Sequence, residues 1–110
     1  MSVIYEEQGA DIGVKEQDMT NLVHYVMRYI IKDGNDLREE MTDLAIPILT
    51  GVAEEETSGY VARLSALHLL ALIHQYRGEE ELLKAAQARS MEIALKAEQE
   101  QIAEVDVIYA

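Results

Sequence analysis

The chain has 110 residues, a hydrophobic fraction of 49% and a formal net charge of −12, from 21 acidic against 9 basic residues. That supports one domain with a modest core and excludes a wholly disordered polar chain. It also argues against direct sequence-specific nucleic-acid binding, because such a field repels phosphate backbones. There is no Cys, Trp or Phe, so disulfides, thiolate metal sites and cysteine nucleophiles are ruled out and packing must come from aliphatics, Met and Tyr.

In chain order, residues 1–15 read as an extended N-terminal arm, with the β-forming tripeptide Val3-Ile4-Tyr5. A helix is expected over 18–33. Met19, Leu22, Val23, Val26 and Ile30 recur on one face, acids stand at its start, and Arg28 and Lys32 lie near its end. Gly34 is placed to stop it. The next helix is expected to begin at once, with Asp36 and Glu39 resembling a capping box. Its expected apolar positions are Leu37, Met41, Leu44, Ala45 and Ile48, with a kink or restart at Pro47 and a close at Gly51. An acidic connection over 52–59 follows.

The third expected helix, 60–77, is apolar nearly all round and ends at Gly78, which makes it the central element. The fourth, 79–104, is rich in Ala, Glu, Gln and Lys, with a thin stripe of Ala88, Met91, Leu95 and Ile102 spaced like a heptad seam. At about 1.5 Å per residue it reaches roughly 38 Å, against about 27 Å for its neighbour. Its first half can pack on the domain and its second half should overshoot. Residues 105–110 read as an extended C-terminal arm in which Val105, Val107 and Tyr109 alternate, and Val107-Ile108-Tyr109 repeats the N-terminal tripeptide. The whole is an all-α, single-domain bundle of about four helices with a long last helix and short extended ends.

Few residues suggest chemistry. His68 and His74 are six apart and point to different sides of a helix, so they cannot share a metal, and no Glu-x-x-His pair occurs. Each of His24, His68 and His74 reads as a core or interface histidine satisfied by a neighbour. Asp36-x-x-Glu39 and Glu40-x-x-Asp43 could chelate magnesium on a nucleotide, but the partner Glu-x-x-Glu on an earlier helix is missing, so Glu39, Glu40 and Asp43 read as a solvated face. No nucleophile elbow or glycine-rich phosphate loop is present. Tyr25, Tyr29, Tyr60 and Tyr76 suit core positions somewhat better than interface positions. The expectation is a non-enzyme with no catalytic residue, metal or cofactor. The densest apolar run, Leu67 to Ile73, is interrupted by His68 and is far short of the ~20 residues of a membrane span. With no signal-peptide pattern at the N-terminus, a cytoplasmic location is expected.

The segment Val61-Ala62-Arg63-Leu64-Ser65-Ala66-Leu67-His68-Leu69-Leu70-Ala71-Leu72-Ile73-His74-Gln75-Tyr76-Arg77-Gly78-Glu79-Glu80 resembles small head–tail connector (adaptor or neck) proteins of tailed bacteriophages. In that pattern Ala66, Leu70 and Ala71 stand on a buried helix, Tyr76 and Arg77 near its end, and Glu79 to Glu81 open the long acidic helix that follows. The likeness covers mainly residues 60–104; the first half, with Pro47, departs from it. It implies a helical subunit assembling as a ring beneath a portal, with portal or tail components as partners and a place in the host cytoplasm and virion.

The resulting expectation is a structural subunit that forms a homo-oligomer. Its candidate interface is Leu95, Ile102, Val105, Val107, Ile108 and Tyr109, with Val3, Ile4 and Tyr5. The alternative from another class is an acidic inhibitor, antitoxin or chaperone that occupies a basic site on a partner protein.

Overall fold

The computed structural model describes the backbone of residues 2–34 and 36–109 and the side chains of 15–34 and 36–100. Four helices dominate: α1 (Ser2–Ile30), α2 (Glu39–Glu54), α3 (Tyr60–Arg77) and α4 (Glu80–Tyr109). A two-stranded antiparallel hairpin, β1 (Ile31–Asp33) and β2 (Asp36–Leu37), joins α1 to α2, and a single 3₁₀ turn (Glu56–Ser58) precedes α3.

The extended terminal arms expected over 1–15 and 105–110 are not observed. Val3, Ile4 and Tyr5 lie within α1, and Val105, Val107, Ile108 and Tyr109 within α4. A short strand leaves its backbone groups unsatisfied unless another strand pairs with it, whereas a helix closes its bonds internally. Local β-propensity yields here to continuation of a helix already nucleated. Helices of 29 and 30 residues, the longer about 45 Å, account for a long dimension of 49 Å. The radius of gyration of 16.5 Å exceeds the ~13 Å of a globule this size, so the helix ends extend beyond the packed centre.

α3 is that centre, touching α1, α2 and α4. Ala62, Ala66 and Ile73 on it are completely buried, and small Ala side chains let its neighbours approach closely. α1 contributes Val23, Val26 and Ile30, as its periodicity requires, with Met19 and Leu22 packed at the margin. α2 differs from expectation in two ways. It runs unbroken through Pro47 and past Gly51 to Glu54, because Val52 and Ala53 are buried in the core and hold its last turn in place. Its buried face is Ala45, Leu49 and Val52, so Leu44 and Ile48 are exposed. Reading the stripe one position off is enough to turn it by about 100°.

The junction after α1 also departs from the expected pattern. The helix stops at Ile30, and Gly34, at φ +57°, serves the hairpin rather than a helix cap. Arg38 instead closes α1. Its backbone N–H donates to the Ile30 carbonyl at 2.7 Å, and its guanidinium Nη1 donates to the carbonyls of Tyr29 at 2.8 Å and Ile31 at 3.0 Å. A cation there meets the negative end of the helix dipole and satisfies carbonyls that have no intrahelical partner. The Asp36 capping box does not form, since α2 starts only at Glu39 with Arg38 in the cap position.

Arg63 does the same for α2. It is 4% exposed and its Nε donates to the Ala53 carbonyl at 2.8 Å. The end of α3 closes as a Schellman motif: the Gly78 N–H donates to Gln75, the Glu79 N–H to His74, and Gly78 takes the left-handed φ of +74°.

Candidate functional site

α3 and α4 lie against each other through the Gly78 turn, and α4 inserts a narrow set of residues. Ala86 is buried and Ile93 is 2% exposed, with Leu83, Ser90 and Ala97 half-buried. The start of the heptad-like stripe, expected to pack on the domain as far as Met91, does not: Ala88 is exposed and Met91 is 68% exposed, while Leu95, expected beyond the packed part, is 53% exposed. Packing therefore reaches further along α4 than Met91, but on a different face. Of the expected interface residues, Leu95 is thus an accessible apolar side chain. The side chains of Val3, Ile4, Tyr5, Ile102, Val105, Val107, Ile108 and Tyr109 lie outside the described residues.

Beside the buried seam, the two helices leave a groove of about 390 Å³. Leu67, His68, Ala71, Leu72 and Gln75 line it from α3, and Leu83, Ala86, Gln87, Ser90, Met91 and Ala94 from α4. Although 27% of the chain is charged, none of these side chains is Asp, Glu, Lys or Arg. Val61, exposed and two turns before His68, extends the same side of α3. The α4 spacing 83, 87, 90, 94 carries the signal that would have located this face: a run without charge at helical intervals, in a helix otherwise dense in Glu and Lys.

A second cluster is polar. Arg77 Nη1 contacts Asp43 Oδ1 at 2.7 Å, and Arg77 Nε contacts Glu79 Oε1 at 3.1 Å, the oxygen that also meets His74 Nδ1 at 3.1 Å. The Asp43 and Glu79 carboxylates push the Arg77 pKa upward and keep it charged. Chemically this ties α2 to the α3–α4 turn: Glu79's carboxylate is shared between a guanidinium and an imidazole that both belong to the same helix end. Of the three histidines only His74 is buried and partnered. His24 and His68 are exposed and so lie outside the core, which leaves an interface position as the reading for these two. Among the described residues no group of three His, Asp or Glu side chains could hold a metal.

Glu39, Glu40 and Asp43 form an exposed face, as expected. Tyr25 and Tyr29 are exposed rather than in the core, since their side of α1 faces away from α3; Tyr76 is exposed and Tyr60 half-buried. Among the described residues no helix is long and apolar enough to cross a membrane. No family model, curated protein or solved structure matches the chain.

Proposed function

We propose that this protein is a non-catalytic assembly subunit whose copies meet through the α3/α4 face. The observation that carries the reading is the uncharged groove with exposed Met91 at its edge, in a chain of net charge −12. Two such chains repel each other wherever their acidic surfaces meet. The contact of least electrostatic cost is the face that carries no charge. Exposed apolar side chains flanking that face supply area whose burial stabilises the contact.

The resemblance of residues 60–104 to phage head–tail connectors supports the more specific form of the proposal, in which the assembly is a closed ring in the neck of a tailed virion. Cyclic assembly needs a heterologous contact, in which one patch meets a different patch on the next copy. The exposed pair Leu44 and Ile48 on α2 offers such a complementary apolar surface.

Light scattering on size-exclusion fractions tests the proposal. The wild type should run as an oligomer at concentrations where Met91→Glu runs as a folded monomer. A wild-type chain that stays monomeric at every concentration overturns self-assembly. Removal of residues 101–110 separates the groove from the terminal segments: a truncated chain that still assembles places the contact on the groove, and one that does not places it beyond residue 100. Closed rings in electron micrographs would support the connector form, and discrete dimers would exclude it.

A further inference from the structure

On the exposed side of α1, a shallow hollow of about 240 Å³ is lined by Asn21, His24, Tyr25 and Arg28. All four are exposed, and their spacing of i, i+3, i+4 and i+7 sets them on one face of the helix. Tyr29, 63% exposed, follows one turn after Tyr25, which is 59% exposed.

The chemistry of the lining is one-sided. Each side chain can donate a hydrogen bond: an amide, an imidazole, a phenol and a guanidinium. Gln17 Nε2 donates to Asn21 Oδ1 at 3.0 Å, which engages the acceptor of that amide and leaves its NH₂ group for another partner. Arg28 enters no ion pair among the described residues. Other basic side chains of this chain are committed. Arg77, Arg89 and Lys96 meet carboxylates, while Arg38 and Arg63 donate to the carbonyls that end α1 and α2. From Met19 through Lys32 there is no Asp or Glu, although 21 of the 110 residues are acidic. Charge is therefore segregated, and this face is where the molecule attracts a carboxylate rather than repelling it.

Acidic residues bound the face at both ends. Asp18 stands one turn before Asn21, and beyond Tyr29 the side chain of Lys32 lines a separate hollow with Asp36, Glu39 and Glu40. The acid-free helical part, residues 19–30, is about 18 Å long. A nucleic-acid strand carries a phosphate at every step and would run off this length onto acidic surface. A short protein segment matches it, since about six extended residues span the same distance. One carboxylate then fills the hollow, and apolar neighbours cover the Tyr25 and Tyr29 rings, large amphipathic surfaces of the kind that anchor contacts.

We infer that this hollow is the docking point for an acidic segment of another protein, with an Asp or Glu carboxylate seated on Arg28, Asn21 and His24 and apolar neighbours against Tyr25 and Tyr29. Arg28 is the anchor, because a guanidinium pairs with a carboxylate through two parallel hydrogen bonds. No residue lines both this hollow and the α3/α4 groove, so α1 remains open to a different protein while copies meet through the groove.

Fluorescence anisotropy of the full chain with a labelled, amidated hexapeptide of alternating Glu and Leu tests the inference. Saturable binding is expected, weakening as salt rises from about 0.05 M to about 0.3 M. The hexapeptide with Gln in place of Glu should bind at least about tenfold more weakly, and so should the acidic hexapeptide to Arg28→Gln, each having lost the charge-assisted pair. Lys84→Gln removes an equal charge from an exposed position on α4 and should leave affinity within about twofold, which separates a site from a general field effect. Tyr25→Ala combined with Tyr29→Ala should weaken binding about fivefold while the circular-dichroism melt holds, since both rings are exposed. Absence of saturable binding at millimolar acidic hexapeptide overturns the inference. So does equal binding of the Gln hexapeptide, a Lys84→Gln loss as large as that of Arg28→Gln, or tighter binding of a short single-stranded oligothymidylate. Loss of self-association in Arg28→Gln would give the hollow to a carboxylate of a second copy and overturns it as well.

Discussion

α4 can be turned in two ways, and substitution at Ile93 and Leu95 distinguishes them. Among the described residues Ile93 is the one large α4 side chain fully buried, whereas Leu95 two positions later is half exposed and Met91 two positions earlier more so. Ile93→Ala deletes three carbons, worth about 0.8 kcal/mol each in transfer, and the cavity left among close-packed neighbours brings the total to about 3 kcal/mol. Total stability for a domain of this size is of order 5–15 kcal/mol, so the variant stays folded. With a urea slope of about 1.5 kcal/mol per molar, its midpoint falls by about 2 M. Leu95→Ala and Met91→Ala, measured below the concentration of assembly, should cost under about 0.5 kcal/mol each. Amide exchange adds a local readout: in Ile93→Ala the protection of α4 beyond Ala86 should fall before that of α3 does. If Leu95→Ala proves costlier than Ile93→Ala, α4 packs by its heptad stripe, and the uncharged groove is not where the proposed assembly places it.

Three further outcomes follow from polar groups. Arg38→Ala should destabilise by about 1–2 kcal/mol, because the last carbonyls of α1 lose both their donor and a compensating charge; thermal melts with Arg38→Lys as the comparison separate charge from the forked geometry. The Glu100 carboxylate beside it raises the Tyr60 pKa above its usual 10. Its stabilising effect is therefore present below pH 10 and is lost as pH climbs through the raised value, so ultraviolet titration should show one late-ionising tyrosine that Tyr60→Phe abolishes. Glu55 shifts the other way, its carboxylate held below 4.5 by the Thr57 hydroxyl and N–H. Its contribution is complete above pH 4.5 and disappears on acidification through the lowered value, a decline that Glu55→Gln should remove.

The fold was legible where periodicity was strong and the elements were long. The α1 face of Val23, Val26 and Ile30 and the full span of α3 could be read from spacing alone, because one wide apolar arc has only one way to be buried. The misreadings share a physical cause. On α2 and α4 the apolar residues outnumber the buried positions, so two stripes compete: Leu44 and Ile48 against Leu49 and Val52, and Met91 against Ala86 and Ile93. The winner is set by which helix lies opposite, and that information is non-local. α3 exposes alanines to its neighbours, and a narrow groove between Ala-rich surfaces accepts Ala86 and Ile93 as readily as a longer pair. The burial of Arg63 was illegible for a different reason. Nothing in the local sequence shows that it will be buried or that it will cap α2, because the Ala53 carbonyl it meets is ten residues away.

Salt dependence decides between the two classes of partner open to so acidic a chain. If copies meet on the uncharged face, the charges that matter lie around the contact and all have one sign on balance, so screening must strengthen association. The smallest dimension of the molecule is 21 Å, while the Debye length is about 30 Å at 0.01 M salt and about 10 Å at 0.1 M. Repulsion between stacked copies is therefore felt across the whole molecule at the lower concentration and largely screened at the higher. Sedimentation equilibrium across that interval should show the self-association constant rising. A chain built to occupy a basic site behaves oppositely: its complex gains from attraction across the interface and weakens as salt rises. Self-association that falls steadily with salt would mean that opposite charges meet in the contact, which the groove lined by Leu72, Gln75, Gln87 and Met91 does not provide. The contact would then have to lie elsewhere, on the charged surface of the molecule.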